Sequence, residues 1–182
     1  MIWSLIPLVL LCAFVAFASQ NCSVGLQGDS SDDKTPPFAV TAALRADADA
    51  MSFPIRQPQV PGTWKPNSGT TQPVGGSMAS NVGWITDAGG YIQLTQSGAD
   101  EGDLVVYLSD RGSDAGMTKL YGAGIRNIDG RTWVAYESGD KTKVWITNFG
   151  VVRIAVLTRG PDADLTTLAK AVQSAEPLAK RG

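Results

Sequence analysis

The stretch from Trp84 to Leu104, WITDAGGYIQLTQSGADEGDL, decides the fold because the chain repeats its plan from Trp145 to Leu165, WITNFGVVRIAVLTRGPDADL. The two align without a gap at an offset of 61 positions, with identities at Trp84/Trp145, Ile85/Ile146, Thr86/Thr147, Gly89/Gly150, Asp103/Asp164 and Leu104/Leu165. Each reads as β-rich run, turn, β-rich run and acidic helix start. In the first, Tyr91, Gln93 and Thr95 alternate with Ile92, Leu94 and Gln96, the period of a strand with two different faces. A period this long, met only twice, is not a solenoid. It predicts a duplicated hairpin-plus-helix unit, hence an α+β fold with an antiparallel sheet and helices packed on one face. Chance convergence of two hairpins is the alternative.

The flanking segments fit that plan. RTWVAYES (131–138), KVWIT (143–147) and VVRIAVL (151–157) are β-rich, with a turn at Asn148-Phe149-Gly150. Pro161, Asp162 and Asp164 open a last helix whose Leu165, Leu168, Ala169 and Val172 recur at helical spacing, with Pro161 expected at its first position. Val40, Ala43, Leu44 and Met51 predict an opening helix stopped by Ser52-Phe53-Pro54. Between Pro54 and Ser77 five prolines restrict the chain to short or edge strands and turns.

Ahead of this domain, 38–182, lie two segments of different character. Ile2 to Ser19, IWSLIPLVLLCAFVAFAS, carries no charge and matches the roughly 18 residues that span a bilayer core, so residues 1–22 are expected to form a transmembrane anchor. Residues 23–37, SVGLQGDSSDDKTPP, have the composition of a solvated tether. Asp29, Asp32 and Asp33 precede the first cation, Lys34, which favours an N-terminus inside and a domain outside the plasma membrane. A signal peptide cleaved near Ala16-Phe17-Ala18 and a lipid anchor at Cys22 are the rival readings; the first lacks a basic n-region, and the second has Asn21 where a small residue is needed.

Composition narrows the chemistry. At 182 residues the chain offers one domain beyond its N-terminal segments, and 43% apolar with 18% charged residues suits a folded core. A net charge of -2 without a basic cluster argues against nucleic acid as a partner. With no histidine, the commonest general base and zinc ligand are missing, and the two cysteines, Cys12 and Cys22, lie outside the domain. No catalytic, cofactor-binding or metal residue is therefore expected.

The remaining candidates have structural readings. Trp84, Trp133 and Trp145 sit in β-rich runs and are expected in the core, whereas Trp64, between Gly62 and Pro66, is the one expected to be exposed for stacking on a ligand. Asp100/Glu101/Asp103 and Asp162/Asp164 could be carboxylate dyads for glycoside hydrolysis or calcium ligands. As helix-start residues they are expected instead to cap backbone N–H groups and complement the dipole. Asp110 and Asp114 miss calcium-loop spacing, Gly89-Gly90, Gly122–Gly124 and Gly160 read as turn glycines outside any phosphate-binding motif, and no serine lies in a nucleophile elbow.

The strings PNSG (66–69), VGWITDAGGYIQLTQS, GRTWVAYES, VWIT, VVRIA and LAKAVQSAEPL, in this order, resemble the actinobacterial envelope family known as domain of unknown function 4245. The resemblance runs from Ile2 to Leu178 and implies a single-anchor membrane protein, with no implied catalytic, cofactor or metal residue. Similar sequences often carry a short basic stretch before the apolar helix, which this chain lacks. The expected function is a non-catalytic binding or accessory domain of the envelope, contacting a protein complex, a lipid or a wall polymer. A carrier of an apolar ligand and a histidine-independent hydrolase using the acidic clusters are the alternatives.

Overall fold

The computed structural model describes residues 38–111 and 119–181. Among them no helix is long and apolar enough to cross a membrane, and the apolar run Ile2 to Ser19, with the tether, lies outside them. The described chain folds as α1 (Val40–Ala50), β1 (Lys65–Val74), β2 (Ser77–Ile85), β3 (Tyr91–Ser97), α2 (Glu101–Arg111), β4 (Leu120–Ile128), β5 (Arg131–Ser138), β6 (Lys143–Asn148), β7 (Arg153–Thr158) and α3 (Asp162–Ser174). The seven strands form one sheet in the order β1-β2-β3-β7-β6-β5-β4, with every neighbouring pair antiparallel.

The expected antiparallel sheet is present, but its helices occupy both faces rather than one. On one face Leu44 and Ala48 of α1 and Leu165, Leu168, Ala169 and Val172 of α3 share a core with Val82, Trp84, Ile92, Leu94, Trp133, Trp145, Ile154 and Val156. On the other, Leu104 and Leu108 of α2 pack with Val144, Ile146, Ala155 and Leu157. Alternation along β6 and β7 requires these two sets to point in opposite directions.

The physical reason lies in the turns of the two similar hairpins. Thr86 and Gly90 close a loop of three residues, Asp87 to Gly89, whereas Phe149 and Val152 close one of two, Gly150 and Val151. Trp84 therefore faces Ile92 across its hairpin, while Trp145 faces Val156, three positions further along than the ungapped alignment implies. An odd shift reverses which residues of the return strand face which side. Ser97, the last residue of β3, points to one face and Thr158, the last of β7, to the other. The helix begins four residues later in both cases and settles on the side to which its strand was turned.

Two edges terminate the sheet. β1 contains Pro66 and Pro73 and is an edge strand, as proline requires, though at ten residues it is not short. β4 forms the other edge through LYGAGIRNI, a run in which Gly122 to Gly124 were expected to be turn glycines. Instead the pairing with β5 shifts between Gly122 and Ile125, and Gly124, at φ 97°, supplies the left-handed residue of a bulge. The β4–β5 turn runs through Asp129 and Gly130, both at positive φ, the geometry of a tight hairpin between twisted strands.

Helix boundaries follow the expected signals to within a residue. α1 ends at Met51, which is extended, and the spacing of Leu44 and Ala48 places both against the sheet. Pro161 is not the first helical residue of α3 but the extended residue before it. Burial of each of the three large aliphatic residues Leu165, Leu168 and Val172 contributes about 1.5–3 kcal/mol, so packing rather than capping holds α3 in place.

Candidate functional site

The acidic residues at the two helix starts lie on different faces of the sheet, because α2 and α3 do. Asp100 pairs with Arg153 at 3.1 Å, and Asp162 pairs with Lys143. Glu101 accepts a hydrogen bond of 2.6 Å from the Tyr136 hydroxyl. Burial first, then that bond and the charge of Glu101, push the Tyr136 phenol up to about 12. The expected capping by carboxylates is corrected at α3: no side chain caps it, Asp162 turns to β6, and one buried oxygen of Asp164 has no partner among the described residues. Asp103 lies against the β1–β2 turn, where a Cβ on Gly75 would collide with its carboxylate. Of Asp110 and Asp114 the first has an undescribed side chain and the second lies outside the described residues.

The tryptophans separate differently from expectation. Trp84, Trp133 and Trp145 are buried as expected, but Trp64 is also buried, at 6% exposure, within the same core. Its carbonyl-capped turn, with Trp64 N–H donating to Pro61 O at 3.0 Å, folds the indole inward and removes it as a stacking platform. Trp133 donates through its indole N–H to Gln173 of α3 at 3.3 Å.

Helix α2 divides its face of the sheet into two unlike regions. Towards β1 it meets a buried polar network: Asn81 Nδ2 donates to Tyr107 Oη at 2.9 Å, Gln93 Nε2 donates to Asn81 Oδ1 at 3.2 Å and to Thr95 Oγ1 at 2.8 Å, and Thr95 Oγ1 donates to Asn81 Oδ1 at 2.8 Å. Ser68 and Tyr91 extend it to the edge. Sequence alternation had marked Gln93 and Thr95 only as the polar side of β3; both are buried.

At the β4 side of the sheet an open groove of about 650 Å³ is lined by Glu101 of α2 on one face, by Gln173 of α3 on the other, and by Arg131, Val134, Ile146 and Asn148 of the strands between them. Val134 and Ile146 are cross-strand partners on the α2 face, Val134 half-buried and Ile146 fully buried. Ile125 pairs with Val134 at the rim and is 67% exposed. Arg131 donates to the Asn148 carbonyl at 3.0 Å, and its guanidinium carbon lies 3.7 Å from the centroid of the Phe149 ring. Arg56 lies over the same ring at 4.3 Å, and burial lowers its guanidinium below its ordinary value. Asp129, at the groove's end, is paired with Lys170 at 3.2 Å. Glu101 and Arg131 enter no ion pair among the described residues. The Glu101 carboxylate, held by Tyr136, belongs to the α2 face, whereas Arg131, in phase with Trp133 and stacked on Phe149, belongs to the face of α1 and α3.

A family model described as "Protein of unknown function (DUF4245)" matches residues 1–172. The chain belongs to that family. The DUF4245 match takes in the whole sheet, both hairpin–helix units and every groove residue named above except Gln173. No curated protein and no solved structure matches the chain.

Of the groove residues, sequence reasoning singled out Glu101 alone, and for a different role. Arg131 and Tyr136 were passed over inside RTWVAYES, read simply as a strand. A signal was present: Thr132, Val134 and Tyr136 alternate with Trp133 and Ala135 as a mixed, half-apolar second face, the pattern of a sheet surface that is partly covered. Among the described residues no cluster of three or more metal-ligating side chains occurs.

Proposed function

We propose that this DUF4245 protein is a non-catalytic binding domain, tethered by its N-terminal apolar segment to the outer face of an actinobacterial plasma membrane, where it contacts a component of the envelope. The observation that carries this reading is the division of the acidic residues. Asp100 and Glu101 stand at one face, engaged by Arg153 and Tyr136, and Asp162 at the other, engaged by Lys143. Glycoside hydrolysis by two carboxylates needs them opposed across one cleft at about 5–10 Å, which one carboxylate from each helix start, on opposite faces of the sheet, does not offer. The space between the sheet and helices α1 and α3 is occupied by Trp84, Trp133, Trp145 and the aliphatic face of α3, which counts against an apolar carrier there. The groove at the β4 side of the sheet remains as the concave contact surface.

The tether supports the reading energetically. Confining a binding domain to a thin layer raises its effective concentration towards partners in that layer, so weak contacts become sufficient. The test has two arms. Intact-mass measurement on the membrane fraction should find residues 1–22 retained, and a mature chain starting near Ser19 or a lipid on Cys22 would overturn the anchor. Crosslinking in intact cells should trap an envelope component on the domain. Turnover of a wall polysaccharide, peptide or lipid ester by the purified protein, abolished by one acidic substitution at unchanged Tm, would overturn the non-catalytic reading.

A further inference from the structure

Three side chains far apart in sequence meet on the α1 and α3 face of the sheet. Phe149, in the β6–β7 turn, packs against the main core, and two guanidiniums lie over its ring, Arg131 at 3.7 Å and Arg56 at 4.3 Å from the centroid. The two guanidinium carbons are therefore at most about 8 Å apart. Both side chains are half-buried, and backbone carbonyls hold both. Arg56 Nη1 donates to the Ala175 carbonyl just beyond α3, and Arg131 Nη1 donates to the Asn148 carbonyl at 3.0 Å. Gln96 of β3 fixes the Arg56 backbone by two hydrogen bonds of 2.8 Å. What remains on each guanidinium is the same edge, Nε with Nη2. Neither edge has an acceptor among the described residues, and both Nε atoms are buried, so bulk water does not satisfy them. The charge is uncompensated as well: neither arginine enters an ion pair among the described residues, whereas Asp129 is already paired with Lys170. Burial lowers the Arg56 guanidinium most, the exposed Glu176 opposes that, and the charge of Arg131 adds to it, so the two cations sense each other.

We propose that Arg56, Arg131 and Phe149 form an anion site that takes a phosphate group, one guanidinium edge to each pair of its oxygens. The Nε–Nη2 edge is the fork that grips two oxygens of one anion at once. A phosphorus atom held in this way lies about 4 Å from the guanidinium carbon, so a phosphate between two forks spans about 8 Å, within the limit that Phe149 sets. A carboxylate has two oxygens, fills one fork and leaves the second cation uncompensated. A neutral sugar compensates neither. The ring keeps the two like charges together through its negative face, and their partial enclosure makes an anion worth more there than in open water. The site lies on the face away from Glu101 and stands whether or not the groove is the contact surface. A lipid headgroup and a soluble phosphate ester share the chemistry, and the experiment separates them.

The experiment uses the full chain in uncharged detergent micelles and calorimetric titration at constant ionic strength. The probes are inorganic phosphate, glycerol 3-phosphate as a monoester, glycerophosphoglycerol as the deacylated headgroup of an anionic lipid, and acetate. Phosphate or one of its esters is expected to bind at least tenfold more tightly than acetate. R56Q and R131Q should each weaken that binding at least tenfold, while K119Q, which removes a cation outside the cluster, should leave it unchanged. R56K and R131K keep the charge without the fork, so each should retain the wild-type Tm and recover only part of the affinity. Tighter binding of the diester assigns the site to a lipid headgroup, and tighter binding of inorganic phosphate or the monoester assigns it to a soluble phosphate. Acetate binding as tightly as every phosphate probe, a K119Q loss equal to that of R56Q and R131Q, or lysine variants that bind like the wild type would overturn the inference. If no phosphate probe binds while cellular crosslinking still traps an envelope component, this site falls and the contact-domain reading survives.

Discussion

The two hairpin–helix units, β2-β3-α2 and β6-β7-α3, begin alike and end on opposite sides of the sheet. Trp84 and Trp145 hold matched positions on one face, so the first strands of the two units are in phase. The second strands are out of phase, because one turn encloses three residues and the other two, and comes two residues later along its strand. β3 and β7 then pair at the centre of the sheet, where Leu94 faces Val156 and Thr95 faces Ala155. The difference teaches how a duplicated plan can build a three-layer domain: if both return strands had one phase, both helices would crowd one face and leave the other bare. With the phases opposed, each face receives cover.

The shared part of the plan is the part that should be costliest to break. Trp84→Ala and Trp145→Ala each remove a nearly fully buried indole from the same core, and each should lower stability by about 3–5 kcal/mol in denaturant unfolding. Losses of similar size at both sites would confirm that they are equivalent. If both variants unfold at the wild-type midpoint, the correspondence between the units has no energetic content.

The units differ most in what lies opposite the Trp face. In β3 that side carries Gln93 and Thr95, bonded to Asn81 and Tyr107, whereas in β7 it carries Ala155 and Leu157 against α2. Asn81→Ala would take from the buried Gln93 and Thr95 their shared acceptor, at a cost of about 1–3 kcal/mol. Replacing Asn81, Gln93 and Thr95 together by Leu, Met and Val should cost less than the sum of the three single losses, since the groups that bond one another are removed together. Strictly additive losses in a mutant cycle would show that the network has no internal coupling.

Much of this was legible in the residues. The antiparallel hairpins, α1, α3 and three of the four buried tryptophans follow from alternation, helical spacing and turn chemistry. Even the phase reversal was written in the alignment: Ile92 and Leu94 match Arg153 and Ala155, while Gln93 and Thr95 match Ile154 and Val156. Identity at Trp84/Trp145 drew attention away from that reversal, and one face for both helices was inferred from the matched strands alone. β4 was hidden because Gly122 and Gly124 signal turns locally, while the pairing energy that makes them a bulge comes from β5. Trp64 was misread because its flanking Gly62 and Pro66 describe the backbone and say nothing of where the indole packs. The groove could not be read at all, since Glu101 and Tyr136 are 35 positions apart and meet only through the placement of α2.

That placement gives a pH signature specific to the α2 side. Tyr136 has its folded value raised, by burial and by Glu101, from the ordinary 10.0 to about 12. Its contribution to stability is therefore fully present below pH 10 and is lost as pH rises through about 12, because the unfolded chain releases the phenolic proton first. Alkaline titration of tyrosinate absorbance should show one late-ionising phenol, and Tyr136→Phe should remove it and flatten the stability profile between those pH values. An unchanged profile in Tyr136→Phe would mean that the Glu101 contact does not persist in solution.

The smallest effects are expected where the units look most alike, at the acidic helix starts. Asp100 reaches across to Arg153 of the other unit with its side chain 83% exposed, so solvent screens the pair and Asp100→Asn should change stability by no more than about 0.2–0.5 kcal/mol. Asp162 pairs with Lys143 of its own unit, with side-chain exposures of 51% and 27%, and the more enclosed carboxylate should bring Asp162→Asn towards about 1 kcal/mol. Because α3 has no side-chain cap, that loss comes from the ion pair and the helix dipole, and both weaken as salt rises. Unfolding curves at low and at molar salt should therefore bring each variant to within a few tenths of a kcal/mol of the wild type. A loss at Asp162 that persists in high salt would require an uncharged role, and a larger loss at Asp100 than at Asp162 would reverse the ranking that exposure predicts.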